Sequence, residues 1–399
     1  MEARSRCGGR ILTERPPGWP RAVELGAEFV HGGNAALARA LRRASVQVEP
    51  VEERHWLVRA GRRTPCDDAW ERIDATMRRI GPRFRGSFGD WLRKNRGRLS
   101  DDDRVLAETF VQGFQGAPLR RMSARVLYRA AGENDEQGRP VGGYERMVDA
   151  FAAELAKAKV ELRLNSEVTR IDWTRGGATV RTGSETWRAR AVVVTVPLGV
   201  LQRGAIRFAP KLAAKEALWR SLESGQAVRV VLRLRADVWQ RGPLPAELRA
   251  RRGRAFGFLH SDEALFPVWW SLAPSPVLVG WTGGPAVKRM AGWAPERVFG
   301  AAKRTLARLL GCDEAMLGKM IVDWRTHDWA ADRFTCGAYS FAAAGRETVH
   351  RRLAQAVGGT LFFAGEATAD ALDLGTVHGA LASGERAAAE ILARVKRGR

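Results

Sequence analysis

Two strings near the end of the chain set an acid beside a glycine-opened helix. Leu361-Phe362-Phe363-Ala364-Gly365-Glu366-Ala367-Thr368 reads as a short apolar strand running into a loop that carries a carboxylate. Gly375-Thr376-Val377-His378-Gly379-Ala380-Leu381-Ala382-Ser383-Gly384-Glu385 then opens a helix with small residues along one face. A helix start offers free N–H groups and the positive end of its dipole to an electron-rich ligand. Only small side chains let a large planar ligand approach the backbone this closely. The same pattern also serves plain helix packing, so spacing alone leaves both readings open.

The two strings resemble the C-terminal flavin-binding signature of the FAD-dependent amine oxidases, of monoamine and polyamine oxidase type. The first residues fit the same resemblance. Met1-Glu2-Ala3-Arg4-Ser5-Arg6-Cys7-Gly8-Gly9-Arg10 is similar to the family's segment at the end of the second nucleotide-binding strand. The resemblance implies that Glu2 holds the adenosine ribose, and that Arg4, Gly9 and Arg10 lie against the pyrophosphate. The chemistry is sound, because a carboxylate accepts from ribose hydroxyls while arginine and glycine amides neutralise phosphate. The glycine-rich fingerprint belongs about 20 residues before that acid. The sequence as it stands does not contain it. The expectation is therefore a nucleotide-binding unit truncated at its N-terminus, or a start that lies upstream.

The resemblance extends to the site. It implies that Glu366, with the amides around Thr376 and Val377, holds the ribityl chain and the pyrimidine end of the flavin beside Gly365. Val168 would pair its backbone with adenine, or serve only as strand core. Tyr339, in Cys336-Gly337-Ala338-Tyr339-Ser340-Phe341, matches an aromatic wall beside the flavin, and Thr376 stands where relatives often carry the second wall residue. Ala338 occupies the place of a flavin-bonding cysteine in some relatives, with Cys336 two residues away, so the expected cofactor is non-covalent FAD. His31 and Glu28, in Gly26-Ala27-Glu28-Phe29-Val30-His31-Gly32, match a segment lining the active site of polyamine-oxidising relatives. There a histidine could move a proton near neutral pH and an acid could hold an ammonium. His378 is expected to be structural. Trp269, Trp270 and Trp329 are pocket walls or core. Many relatives carry a lysine near flavin N5. We look for it on the strand before Gly283-Gly284; residues 269–284 contain none, and Lys288 lies beyond the turn.

The implied reaction passes a hydride from the α-carbon of an amine to flavin N5. The imine is then hydrolysed and O2, or another acceptor, is reduced. The substrate is a small amine, and no metal is called for. Two rival readings remain: a flavin-poor or inactive truncated remnant, and a related flavin oxidoreductase acting on an apolar substrate.

These residues need a scaffold. At 399 residues and 45% hydrophobic content, the chain can bury more than one core. The expected class is α/β: a discontinuous Rossmann-like FAD-binding domain (1–35, 142–205 and 335–399) with an α+β substrate domain (36–141 and 206–334). Residues 35–44 and 102–112 read as helices within a mostly helical stretch from 34 to 130. Gly142-Gly143-Tyr144 opens another helix over 145–157. Residues 160–164, 167–173, 178–181 and 186–190 alternate as strands do. Residues 191–196 form a β-branched run suited to a strand buried on both faces, ended by Pro197. Strands are expected at 227–234 and 277–281, and a helix at 295–310.

The net charge is +22. Basic residues are spread along the chain, with short clusters at 249–254 and 394–399, so no specific nucleic-acid partner is expected. No apolar run is long enough to span a membrane. Cys7, Cys66, Cys312 and Cys336 are scattered and form no CxxC pair, which suits reduced thiols and a cytoplasmic location.

Overall fold

The computed structural model describes every residue except Gly33, 133–136, 242–243, 250–254 and 398–399. Most of the basic cluster at 249–254 and the end of the 394–399 cluster therefore lie outside the described residues.

The substrate side is built on a seven-stranded sheet. Its order runs Ile321–Asp328, Ala227–Leu234, Val277–Gly283, Val268–Ser271, Phe258–Ser261, His55–Arg59, Arg62–Pro65. All pairings are antiparallel except His55–Arg59 with Phe258–Ser261. Ala227–Leu234 is covered on both faces, and its alternation sorts the side chains. Val228, Val230, Leu232 and Leu234 join a core with helix Pro295–Leu310. Ala227 and Val231 point the other way, into a core with Trp270, Trp281 and Phe258. The helix starts on Pro295 and stops at Gly311 in the left-handed conformation (φ +65°), as its sequence predicts. The hairpin at 55–65 falls inside the stretch expected to be mostly helical. Its strands are short and stand among helices, so helical periodicity on either side masked them.

The nucleotide side has a parallel pair, Val192–Val194 with Leu361–Phe363. Beside it is a four-stranded sheet in the order Thr186–Ala189, Gly177–Arg181, Arg170–Thr174, Arg207–Ala209. Helix Val377–Arg397 packs on Ala35–Arg43, which is capped by the Asn34 side chain. Two expectations need correction. Val193 is 40% exposed, so the run at 191–196 is not buried on both faces. Residues 160–169 form no regular strand; instead Glu2 N–H donates to the Arg163 carbonyl and Asn165 N–H to the Arg4 carbonyl. Strand Arg207–Ala209 pairs with Arg170–Thr174, and residues of helix Ala213–Ser221 share its core with Val349, Leu361 and Phe363.

A small sheet of Val30–His31, Gln137–Pro140 and Val48–Pro50 crosses between the two sides. So does the pair Glu223–Gly225 with Tyr339–Phe341. These crossing strands bring Glu28, His31, Arg139 and Tyr339 towards one region.

Candidate active site

Strand Leu361–Phe363 ends in Gly365, whose φ of +110° suits only glycine. The Gly365 N–H donates to Ser383 Oγ at 2.8 Å, locking the turn to the helix. Glu366 follows, buried, and acts as a keystone. Its carboxylate accepts from Arg10 (2.8 Å), from Ser340 N–H (3.2 Å) and Oγ (3.1 Å), and from Gly375 N–H (2.8 Å). Arg10, Ser340 and the stretch 366–375 thus meet on one side chain. These four donors fix the Glu366 carboxylate within the cradle.

Thr376 caps the helix. Its hydroxyl donates to the Asp373 carbonyl (2.7 Å) and accepts from Gly379 N–H (2.9 Å). Helix geometry leaves the N–H groups of Val377 and His378 pointing out of the first turn. His378 pairs with Asp373 at 3.2 Å. A cleft lies where the parallel strands end, lined by Arg10, Thr195, Pro197, Ala364, Gly365 and Glu366. Ligands of open α/β sheets bind at that end of the strands.

The N-terminal segment is tied down by bonds within the chain. Glu2 accepts from Arg4 N–H (2.8 Å), and Arg4 forks onto both oxygens of Asp332 (2.7 and 2.8 Å). Burial pushes the Asp332 carboxyl up, but hydrogen bonds from His327 and Arg4 outweigh this and hold it well below the usual carboxylate range. Arg6 braces the Gly8-Gly9 turn by donating to the carbonyls of Cys7, Gly9 and Ile11. Gly9 has φ +58° and no atom within 4 Å of a built Cβ, so its outer side is open. Arg10 is drawn inward to Glu366 and the Ala338 carbonyl. Val168 packs, half-buried, against the core of the four-stranded sheet.

Tyr339 stands next to this cradle. Its hydroxyl donates to the Phe114 carbonyl at 2.8 Å, and burial pushes its pKa up. Gly116 and Gly375 press on its ring, where Cβ atoms would lie 3.2 and 3.1 Å away. Phe114, Trp70, Phe258, Trp270 and Phe29 continue the wall, ring on ring, with centroids 5.4–6.3 Å apart. His31 closes it, 6.2 Å from Phe29. The His31 ring is open to its surroundings yet enclosed by protein at longer range. Desolvation, with a smaller contribution from His378, pushes its pKa down to about 4. A shift in this direction favours the neutral imidazole.

Glu28 is also different from expectation. It is 5% exposed and accepts from Arg139 Nε (2.6 Å) and Trp270 Nε1 (2.8 Å), with Arg229 at 3.0 Å. Burial pushes its carboxyl up, but Arg229 and Arg139 outweigh this and hold it down. Arg229 is 3% exposed and lies 5.5 and 5.2 Å from the Trp270 and Trp281 rings. It donates to the Glu24 carbonyl at 2.6 Å. The Glu24 side chain, buried beside Thr13 and Tyr144, has its pKa raised to about 7 by desolvation.

The structure thus brings Arg10, Tyr339, Gly365, Glu366, Thr376 and Val377 together, and joins Glu28 and His31 to the aromatic wall. Glu2 and Arg4 sit apart, by Asp332. Trp270 belongs to the wall, whereas Trp269 lies in the opposite core and Trp329 bonds the Leu25 carbonyl. Lys288 lines a separate cleft of about 300 Å³ with Trp293 and His327. Sequence reasoning missed Arg229 and Arg139. One signal was available: Arg229 stands among five apolar neighbours, Ala227 to Leu232, of a strand long enough to be buried.

The residues present fit a flavin. The cradle has a glycine turn, first-turn N–H groups and an aromatic flank. The chain matches the family of flavin containing amine oxidoreductases over residues 1–392, and it belongs to that family. The fold is accordingly an α/β FAD-binding unit with a substrate unit. It is 32% identical over 265 residues to rice lysine-specific histone demethylase 1 homolog 1, covering 64% of this chain and 29% of that protein. To Arabidopsis thaliana polyamine oxidase 2 it is 26% identical, covering 99% of this chain and 83% of the relative. It spans 29% to 55% of the length of the demethylase relatives. Among solved structures, putrescine oxidase bound to putrescine superposes with a TM-score of 0.79 at 20% identity, covering 98% and 92% of the two chains. Cyclohexylamine oxidase from Brevibacterium oxydans gives 0.77 at 18%, covering 99% and 93%. Among the described residues no helix is long and apolar enough to cross a membrane.

Proposed function

We propose that this chain is an FAD-dependent amine oxidase that holds its cofactor without a covalent bond. The observation that supports this best is the cradle around Glu366, with Tyr339 and the aromatic wall directly against it. When bound, the flavin supplies the two-electron oxidation of the amine's α-carbon, with O2 reduced to H2O2 and the imine hydrolysed in water.

The chain's own residues bind, orient and exclude water. The first-turn N–H groups at Val377 and His378 would be the donors offered to the flavin ring. Glu366 keeps Arg10, Ser340 and Gly375 in fixed positions, so the cradle is formed before any ligand enters. Tyr339, fixed through Phe114, presents a ring face to the substrate nitrogen. His31, uncharged at neutral pH, offers a hydrogen bond to an amine that must itself be neutral to react. Glu2 and the Gly8-Gly9 turn would receive the adenosine and pyrophosphate end. Ala338 cannot bond a flavin, and Cys336 is turned to Arg203 at 3.3 Å. We place the FAD-binding unit at 1–35, 142–222 and 335–399, and the substrate unit at 36–141 and 223–334. Free thiols support a cytoplasmic location, and no specific nucleic-acid partner is proposed.

The test is direct. The protein is loaded with FAD, desalted and given a panel of amines under air. A retained flavin spectrum, flavin released by denaturation, and peroxide with an amine support the reading. A flavin-loaded protein that oxidises none of the amines refutes it.

A further inference from the structure

We infer that the Glu28–Arg139–Arg229 cluster is a specificity element that cancels the acid in the amine site and selects a singly charged amine with an apolar, aromatic-sized tail over a di- or polyamine. This rests on the amine oxidase reading and names the substrate class of the same site.

A polycation needs a free carboxylate for its distal ammonium. Glu28 stands at the aromatic wall, but two guanidiniums claim it, at 2.6 and 3.0 Å, and Trp270 takes a further acceptor position. The groups facing Arg229 are Glu28, Glu24 and Arg139, with Tyr339 beyond. Two guanidiniums thus face the one Glu28 carboxylate, while the Glu24 carboxyl is taken up by Thr13 and the Tyr144 N–H. Arg139 Nη2 and Arg229 Nε are buried with no hydrogen-bond partner, so the cluster has donors to spare and no acceptor. The other nearby acids are engaged: Glu366 by Arg10, Ser340 and Gly375, and Asp373 by His378. The surface the cluster supports is aromatic. Arg139 lies 5.0 Å from the Phe29 ring and Arg229 backs Trp270 and Trp281. Such a wall favours an apolar tail by burial and stacking.

The experiment compares 2-phenylethylamine with putrescine and spermidine by two readouts. One is quenching of tryptophan fluorescence in the flavin-free protein. The other is anaerobic reduction of bound flavin. We expect 2-phenylethylamine to bind and reduce at least about tenfold better than either polyamine. In Arg139→Met, which removes one positive charge, putrescine should gain roughly tenfold relative to wild type. Equal or better binding of putrescine by the wild-type protein overturns the inference, as does absence of binding by 2-phenylethylamine. Selective binding of 2-phenylethylamine with no flavin reduction by any amine upholds the inference and sinks the oxidase reading instead.

Discussion

Glu24 carries a prediction opposite in sign to the usual loss on mutating a buried residue. Its carboxyl is raised from 4.5 to about 7, with desolvation as the largest cause. It accepts from Tyr144 N–H at 2.7 Å and from Thr13 Oγ at 2.9 Å. A carboxyl with a raised folded pKa takes up a proton on folding. Its favourable contribution is therefore present below the unfolded value and lost as pH rises from there through about 7. The displacement corresponds to ~3 kcal/mol. Glu24→Gln keeps an acceptor for Tyr144 N–H and offers a donor to Thr13, without a charge to bury. At about 2.1 cal/mol/K per residue, 399 residues give an unfolding entropy of roughly 0.8 kcal/mol/K. The variant should thus match wild type near pH 5 and melt about 4 °C higher near pH 8.5, measured by calorimetry. A variant that melts well below wild type at pH 8.5 would refute the reasoning, because the carboxylate would then be a stabilising partner of Arg229.

Glu28→Gln should behave in the opposite way, costing about 3–5 kcal/mol above pH 5, because two buried arginines lose their counter-charge; an unchanged melting temperature would contradict this. Because Glu28 is held below the ordinary carboxylate range, its contribution should disappear as pH falls towards that depressed value. His55 and His260, stacked and 3.0 Å apart, are both pushed down by burial, so their stabilisation is full above about pH 6.5 and falls below it. His260→Phe should therefore flatten the acid limb of the stability curve. Gly375→Ala places a Cβ 3.0 Å from the Ser340 carbonyl at φ +77°, and should cost about 1–3 kcal/mol and weaken FAD retention on desalting. Glu366→Gln should release Arg10 and lower the fraction of flavin retained; full retention would deny it the keystone role.

The cradle was legible because its parts are local in sequence. Gly365, Glu366, Gly375 and Thr376 lie within a dozen residues, and glycine and capping chemistry act over that range. The helices at 35–43 and 295–310 announced themselves by caps and periodicity. The charge state of the site was not legible. Glu28 meets its partners from 111 and 201 positions away, one on the small sheet and one on the large sheet, and only the assembled fold brings them together. Glu28 therefore read as a free acid, since the two arginines that hold its carboxyl down reach it only in the assembled fold. The segment 160–169 alternates like a strand, but residues 2–4 pair with it too briefly to make a ladder.

Arg4 forks onto Asp332, and Asp332 accepts from His327 on the last strand of the large sheet. Asp332 N–H also bonds back to the Asp328 carbonyl, and the Cys336 N–H to the Asp332 carbonyl. The loop leading to Tyr339 is thus clipped to the first turn of the chain. Cutting the chain between residues 4 and 8, or replacing Arg4, would therefore free the loop that carries Tyr339, more than 300 positions away in sequence.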